Sequence, residues 1–227
     1  MGRMEDENTE PSNPFEMPLF PLNTVLYPGM ILPLHIFEER YRTMIGSCIE
    51  TQQPFGIILI KEGSEVGAPA TPERIGTTTR ILESQTLSEG RLNILTRGDK
   101  RFELLDIVQK EPHLVGRVQL LAEDDGGTTP TQVNEAQGEF EVYLRDMARL
   151  AGETSNDVMA TQEPVELSYS IASKLCSSVK LPPDVRQHWL ELESANTRLD
   201  SITMVLRGLN EALAQEIKRR ASDVGLN

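Results

Sequence analysis

The fold of the N-terminal half is decided by the stretch Met17-Pro-Leu-Phe-Pro-Leu-Asn-Thr-Val-Leu-Tyr-Pro-Gly-Met-Ile-Leu-Pro-Leu-His35. Its four prolines exclude a helix interior and disfavour central positions in a sheet, while the apolar residues between them favour extended structure. We therefore expect short extended segments joined by tight turns. Pro28-Gly29 suits the centre of a type II turn, because proline fixes the first φ and glycine tolerates a positive second φ.

The residues that follow predict one helix and then several strands. Short apolar or alternating runs recur up to Leu121, with hairpin-like turns at 88–90 and 98–100. Turn signals about every ten residues favour a closed or half-closed barrel over βαβ units. The helix is predicted over 37–49, where apolar side chains recur every three or four positions: Phe37, Tyr41, Met44, Ile45 and Cys48.

The C-terminal half has a helical pattern. Pro164 suits the first position of a helix, and Pro182-Pro183 ends that helix and starts a short one. Thr197-x-x-Asp200 resembles a capping box before a long final helix. The acidic, glycine-containing segment 123–130 separates the two halves.

These patterns predict an α+β fold. We expect four parts: a flexible acidic tail over 1–16, a β-barrel subdomain over 17–122, a linker loop over 123–130 and a helical subdomain over 131–227.

Length and charge restrict the class of protein. The 227 residues suffice for one large or two small domains, and 22 basic against 35 acidic residues give a net charge of −13. This acidity disfavours binding to nucleic acid or to an anionic membrane. No apolar run is long enough for a membrane-spanning helix, and the N-terminus has no signal-peptide pattern. Cys48 and Cys176 are expected to be reduced thiols, which favours a cytoplasmic location.

The sequence lacks the common catalytic and nucleotide-binding motifs, such as a P-loop, G-x-G-x-x-G or H-E-x-x-H. The three histidines lack metal-ligand spacing, so we expect no metal and no cofactor. Ser177-Ser-Val-Lys180 matches S-x-x-K, but it lies at the end of a predicted helix without partner motifs, and we interpret it as chance. Arg97-Gly-Asp-Lys-Arg101 could contact an anion, but Asp99 interrupts it, which favours a solvated turn.

The opening stretch is continued by Leu32-Pro-Leu-His-Ile-Phe-Glu-Glu-Arg-Tyr-Arg42, and together they resemble the start of the Lon N-terminal, or LON substrate-binding, domain. The segments 76–81 and 97–102 are similar to the family's Gly-Thr-x-x-x-Ile and Gly-x-x-Arg-Phe stretches. The resemblance thus runs in order from Met17 to about Leu121, whereas the helical half is similar in layout only. It implies a PUA-like β-barrel followed by a helical bundle.

The resemblance also implies a function. In the ATP-dependent Lon protease this domain helps to engage unfolded or tagged proteins, and the ATPase and Ser-Lys protease domains lie downstream. Neither fits within this chain, so we expect a standalone, non-catalytic module that binds proteins or peptides for substrate recognition or as an adaptor, and not a peptidase. Expected partners are unfolded or extended polypeptides, or a partner protease or chaperone, and homo-oligomerisation stays open.

Two alternatives remain at this point. PUA-like barrels include RNA binders, so RNA binding through the barrel is the first, although the net charge of −13 argues against it. A cryptic hydrolase built on Ser177 is the second.

The prolines suggest how a peptide could bind. Extended segments interrupted by proline leave backbone groups unpaired at a sheet edge, to which an extended peptide could add. An apolar groove between the barrel and the helical bundle could also take apolar side chains of an unfolded client, although such residues more often belong to the core. The candidates for such contacts are Tyr27, Met30, Leu32, Phe37 and Trp189.

Overall fold

The computed structural model describes residues 13–65, 70–153 and 161–224. None of the helices among these residues combines the length and the apolar character needed to cross a membrane. Residues 1–12 of the expected acidic tail lie outside the described residues, and Phe15 and Glu16 already belong to a strand. The strands and α-helices are β1 (Phe15–Leu22), β2 (Ile31–Ile36), α1 (Glu39–Thr51), β3 (Phe55–Glu62), β4 (Thr71–Thr86), β5 (Leu92–Gln109), β6 (Leu114–Leu120), α2 (Pro130–Ala151), α3 (Pro164–Ser178), α4 (Pro183–Glu191) and α5 (Ala195–Val224).

The strands form one mixed sheet in the order β2-β5-β4-β3-β1-β6. An additional pairing of β5 with β6 closes β1, β3, β4, β5 and β6 into a barrel. Strands β1 and β3 are parallel, and the other pairs are antiparallel. Together with the helices, this sheet confirms the predicted α+β class. Among the described residues β2 pairs with β5 alone, so it is the open edge of the sheet.

Strand β1 lies between β3 and β6 in the sheet and nevertheless contains Pro18 and Pro21. Pro18 lies opposite Val115 of β6, and Pro21 lies opposite Ile58 of β3. The reason is that β1 divides its pairing: residues 15–19 pair with β6 and residues 19–22 with β3. Each proline therefore has a neighbouring strand on one side only, which is the situation of an edge strand.

A tight turn connects β1 to the open edge. Met30 N donates to Tyr27 O at 3.0 Å, and Gly29 between them has φ +79°, as a type II turn requires. The turn is fixed to β5 by two further hydrogen bonds, from Gly29 N to Gly98 O and from Gly98 N to Met30 O, both 2.9 Å long. The predicted Pro28-Gly29 turn is thus present, and it is attached to a specific strand position.

The turn predicted at 98–100 is wrong, because these residues lie inside the continuous strand β5. The register shifts here, so that Thr78 of β4 faces two residues of β5. The Thr78 hydroxyl donates to Lys100 O and accepts from Lys100 N, and it thereby replaces the interrupted backbone pairing. The glycine and the charged residues at 98–100 thus mark a β-bulge and not a turn. The other predicted hairpin turn, at 88–90, does connect β4 to β5.

Two apolar clusters form the core of this part of the chain. The first lies among the strands of the barrel, and the second joins the strands to α1. Phe102 is fully buried in the first, where Gly56 and Gly76 leave room for its ring. The buried face of α1 packs into the second with Phe20 and Phe55, and it comprises Tyr41, Met44, Ile45 and Cys48 as predicted. The sequence predicts Phe37 on the same stripe, but α1 begins only at Glu39, and the Phe37 side chain is 52% exposed.

Contacts divide the described chain into two units. The first holds the strands and α1, up to Glu123, together with Ser173–Glu191, and the second holds Asp124–Ala172 and the chain from Leu192 on. The division differs from the expected single helical subdomain over 131–227, because Ser173–Glu191 groups with the barrel. Hydrogen bonds within the first unit account for this grouping: Tyr27 OH donates to Arg186 O at 2.8 Å, and Gln187 Nε2 donates to Ile75 O at 3.0 Å.

The second unit is organised around a buried arginine. Arg198 donates to Ser168 Oγ at 2.9 Å and to Leu192 O at 2.8 Å, and its guanidinium lies 4.0 Å from the centre of the Tyr169 ring. Pro164 starts α3 as predicted. The cap of α5 is different from the expected one, because Thr197 N donates to Ser194 Oγ and the helix already begins at Ala195.

The contact between the turn and β5 leads to a stability prediction. A Cβ at position 98 would lie 2.2 Å from Tyr27 O, a backbone atom that cannot move aside without displacing the turn. We expect Gly98→Ala to lower the free energy of unfolding by about 3 kcal/mol, measured by urea denaturation. Gly46→Ala in α1 is the control: its Cβ would meet nothing within 4 Å, and it should raise stability by about 0.5–1 kcal/mol. Equal effects of both substitutions would contradict this role of Gly98.

The buried Arg101 gives a second prediction. Its side chain is 2% exposed; it donates to Glu123 at 2.8 and 3.3 Å and to Leu190 O at 2.9 Å. Arg101→Met leaves a half-buried carboxylate and a carbonyl without their donor, and should cost about 3 kcal/mol in the same denaturation experiment. Glu123→Gln keeps a hydrogen-bond acceptor and should cost about 1 kcal/mol. An Arg101→Met variant as stable as the wild-type chain would show that the bonds from Arg101 to Glu123 and Leu190 O do not stabilise the fold.

Candidate functional site

The open edge of the sheet exposes apolar side chains. Along β2, Ile31, Pro33 and His35 are exposed and alternate with Leu32 and Leu34, which are half-buried against the α1 cluster. Ile31 is 47% exposed at one end of the strand, and Phe37 is 52% exposed just beyond the other end. This strand thus combines a free edge with large apolar side chains in solvent.

The exposed residues of β2 continue across the two neighbouring strands. Residues directly opposite one another in antiparallel strands point to the same side of a sheet. The strand register therefore builds an outward surface of three rows, which we name the open-edge face. Its rows are Ile31–Arg97–Arg80, Pro33–Leu95–Glu83 and His35–Asn93–Gln85.

A cleft of about 480 Å³ is lined by the second and third rows of this face. Pro33 and Leu95 contribute apolar surface, and Glu83, Gln85 and Asn93 contribute polar groups. His35 is held in place from two sides: its Nδ1 lies 2.7 Å from Asn93 Oδ1, and its ring stacks on Phe37 with centroids 6.1 Å apart. A cleft with an apolar floor and polar groups around it is suited to binding side chains.

The five candidates proposed from sequence lie in different environments. Tyr27 and Trp189 are buried, at 0% and 1% exposure, and the Tyr27 hydroxyl is used internally by its bond to Arg186 O. Met30 and Leu32 are half-buried against the α1 cluster. Phe37 alone among the five is exposed beside the open edge.

Ile31 is the residue that sequence reasoning missed. Alternation along β2 places it on the same side as Pro33 and His35, so the signal was present in the sequence. The five predicted candidates share apolar character but not a position in the alternation of a strand, so they include both buried and exposed residues.

The basic segment 97–101 does not form one anion site. Arg101 is buried and bound to Glu123, as described above, and Asp99 pairs with Arg80 at 2.9 Å. Arg97 is exposed on the open-edge face. Arg97 and Lys100 are therefore the basic residues of this segment that a ligand can reach, whereas Arg101 is enclosed.

Three side chains with reactive groups, Ser177, Cys48 and His113, lie in ordinary structural environments. Ser177 Oγ donates to Ser173 O at 3.0 Å, an ordinary bond within α3, so the S-x-x-K spacing forms no Ser-Lys pair here. Cys48 and His113 line a second cleft of about 430 Å³. Burial raises the pKa of the Cys48 thiol and lowers the pKa of His113, so both are uncharged at neutral pH. No cluster of three or more metal-ligating side chains occurs among the described residues.

Comparison with known proteins agrees with the resemblance in the opening stretch. Residues 16–208 match the sequence model of the family described as the ATP-dependent protease La (LON) substrate-binding domain. A Lon protease of Anaeromyxobacter dehalogenans is 23% identical over 202 residues, which are 88% of this chain and 24% of that protein. The chain thus spans about a quarter of the length of the curated relatives it matches.

Solved structures give the same result. A Lon N-terminal domain protein from Xanthomonas campestris matches with a TM-score of 0.60 and 25% identity, covering 83% of this chain and 96% of that one. The N-terminal domain of Lon protease from the Mycobacterium avium complex has the same fold, with a TM-score of 0.62 at 17% identity and coverages of 87% and 98%. The match lies in the substrate-binding domain and not in the catalytic part of the protease. By this match, which covers most of its length, the chain belongs to the LON substrate-binding domain family.

Proposed function

We propose that this chain is a non-catalytic module that binds polypeptides in an extended conformation along the open edge. The observation that carries the proposal is the position of β2: it pairs with β5 alone among the described residues, and it exposes Ile31 and Phe37 at its two ends. Membership of a substrate-binding domain family supports a role in substrate recognition. The relatives named above are Lon proteases, which supports polypeptides as the substrate class.

The edge favours short extended segments. A peptide that lies beside β2 pairs its backbone with the free side of the strand, and its alternate side chains reach Ile31, Pro33 and His35. Pro33 in the centre of β2 has no N–H, so an added strand lacks a hydrogen bond at that point. A proline on an edge strand also limits edge-to-edge aggregation. The apolar side chains would then supply much of the binding energy.

The partner is an unfolded client protein, or an exposed segment of a protease or chaperone for which this chain is an adaptor. The chain itself binds without cleaving, which agrees with the protonated thiol of Cys48 and the ordinary helical bond of Ser177. Cys48 and Cys176 are unpaired thiols, and this supports a location in the reducing cytoplasm.

The proposal predicts a loss of binding when the two exposed apolar residues are removed. We expect Ile31→Ser with Phe37→Ser to weaken binding of a fluorescently labelled, reduced and alkylated protein by roughly tenfold or more, because two apolar contacts are lost. Fluorescence anisotropy measures the affinity. Since both side chains are about half exposed, the melting temperature should change little.

A matched variant controls for general surface hydrophobicity. Phe15 and Val108 are 36% and 46% exposed on other strands of the same unit. Phe15→Ser with Val108→Ser should leave the affinity for the unfolded protein unchanged. If both double variants lose affinity equally, the open edge is not the binding surface, and if the wild-type chain does not bind unfolded proteins at all, the proposed function is wrong.

A further inference from the structure

The first row of the open-edge face carries two arginines side by side. Arg97 of β5 lies directly opposite Arg80 of β4 on one side and Ile31 of β2 on the other. Like charges directly opposite one another in neighbouring strands repel and destabilise the pairing. A negative group near this row is therefore favourable.

The protein neutralises only one of these two arginines. Arg80 Nη2 lies 2.9 Å from Asp99 Oδ2, whereas the Arg97 side chain makes no ion pair or hydrogen bond within the described part of the chain. The net charge of −13 repels anions in general, but charges further away than about 8 Å are largely screened at physiological ionic strength, so the local charge of Arg97 dominates at this row. An accessible, unneutralised cation beside exposed apolar surface is thus complementary to an anionic ligand that also has apolar parts.

The second row of the open-edge face carries two apolar side chains, whereas the first row carries two arginines. Pro33 and Leu95 present apolar surface one row away from Arg97, at the cleft of about 480 Å³. Alternate residues of a strand are about 7 Å apart, and the same spacing separates side chains i and i+2 of an extended peptide. A peptide paired with the free side of β2 would place one side chain beside Ile31 and the next on that side beside Pro33. Arg97 and Leu95 lie one strand further on, about 10 Å from the peptide backbone, a distance that a carboxylate side chain and an arginine side chain span together.

We propose that the open-edge face selects polypeptide segments in which an Asp or Glu side chain lies two residues from a large apolar side chain. The carboxylate pairs with Arg97, and the apolar side chain contacts Pro33 and Leu95. Glu83 lies opposite Leu95 in the second row and repels an acidic residue there, so it disfavours placing the carboxylate at the apolar position. This selectivity rests on the proposed function and adds a substrate class to it.

The test compares three peptides and two variants of the full chain. The peptides are acetylated and amidated, which removes their terminal charges, and differ only in the residue two positions from a leucine: Glu, Gln or Lys. We expect the Glu peptide to bind the wild-type chain more tightly than the Gln peptide, by about two- to fivefold as for exposed ion pairs, and the Lys peptide to bind most weakly. Fluorescence anisotropy at low ionic strength measures all three affinities.

The two variants should move the affinity for the Glu peptide in opposite directions. Arg97→Gln removes the attracting charge and should abolish the preference for Glu over Gln, whereas Glu83→Gln removes the repelling charge and should increase that preference. Both side chains are exposed, so neither change should affect folding. A purely structural role of either residue would not produce opposite shifts.

The outcomes separate this inference from the proposed function. Equal binding of all three peptides, or a preference for Glu that survives Arg97→Gln, overturns the acidic selectivity while leaving peptide binding intact. Failure of every peptide, together with failure of unfolded proteins to bind, overturns the proposed function itself.

Discussion

The docking of the Tyr27–Met30 turn onto Gly98 determines where the open edge lies. The turn follows β1, a strand of the barrel that ends at Leu22, and leads directly into β2 at the edge of the sheet. Because two backbone hydrogen bonds join the turn to one glycine of β5, the register of β2 against β5 is set at its first residues. That register in turn decides which side chains face solvent, since a slip by one residue would exchange the buried and exposed sides of β2. The candidate binding surface is therefore a consequence of backbone contacts made before the strand begins.

Much of this fold was predictable from local patterns. The stripe on α1, the Pro28-Gly29 turn and the prolines that start α3 and α4 all depend on interactions between residues close in sequence. Local patterns were not sufficient where residues distant in sequence determine the structure. Pro18 and Pro21 are tolerated because β1 changes its partner midway, and 98–100 is a bulge because another segment docks on it. A sequence shows that these residues are unusual, but not which strand lies beside them.

In the candidate site, local sequence patterns also did not predict which side chains are buried and which are exposed. Tyr27, Trp189 and Phe37 are all apolar candidates, but Tyr27 and Trp189 are buried and Phe37 is exposed. Charge character grouped Arg97 with Arg101, although one faces solvent and the other is enclosed with Glu123. Residues of one type within a few positions thus have different roles, since strand alternation and the contacts of distant helices determine their environment.

The divided pairing of β1 places unusual weight on Leu19. Among the residues of β1, Leu19 alone has partners in both directions, Gly56 in the parallel strand and Leu114 in the antiparallel strand. On this side of the barrel, β3 and β6 are therefore joined through β1 at Leu19. An insertion before Leu19 would shift the chain against β6 alone, and an insertion after it would shift the chain against β3 alone. Relatives in which this strand varies in length could therefore adjust one seam of the barrel during evolution without rebuilding the other.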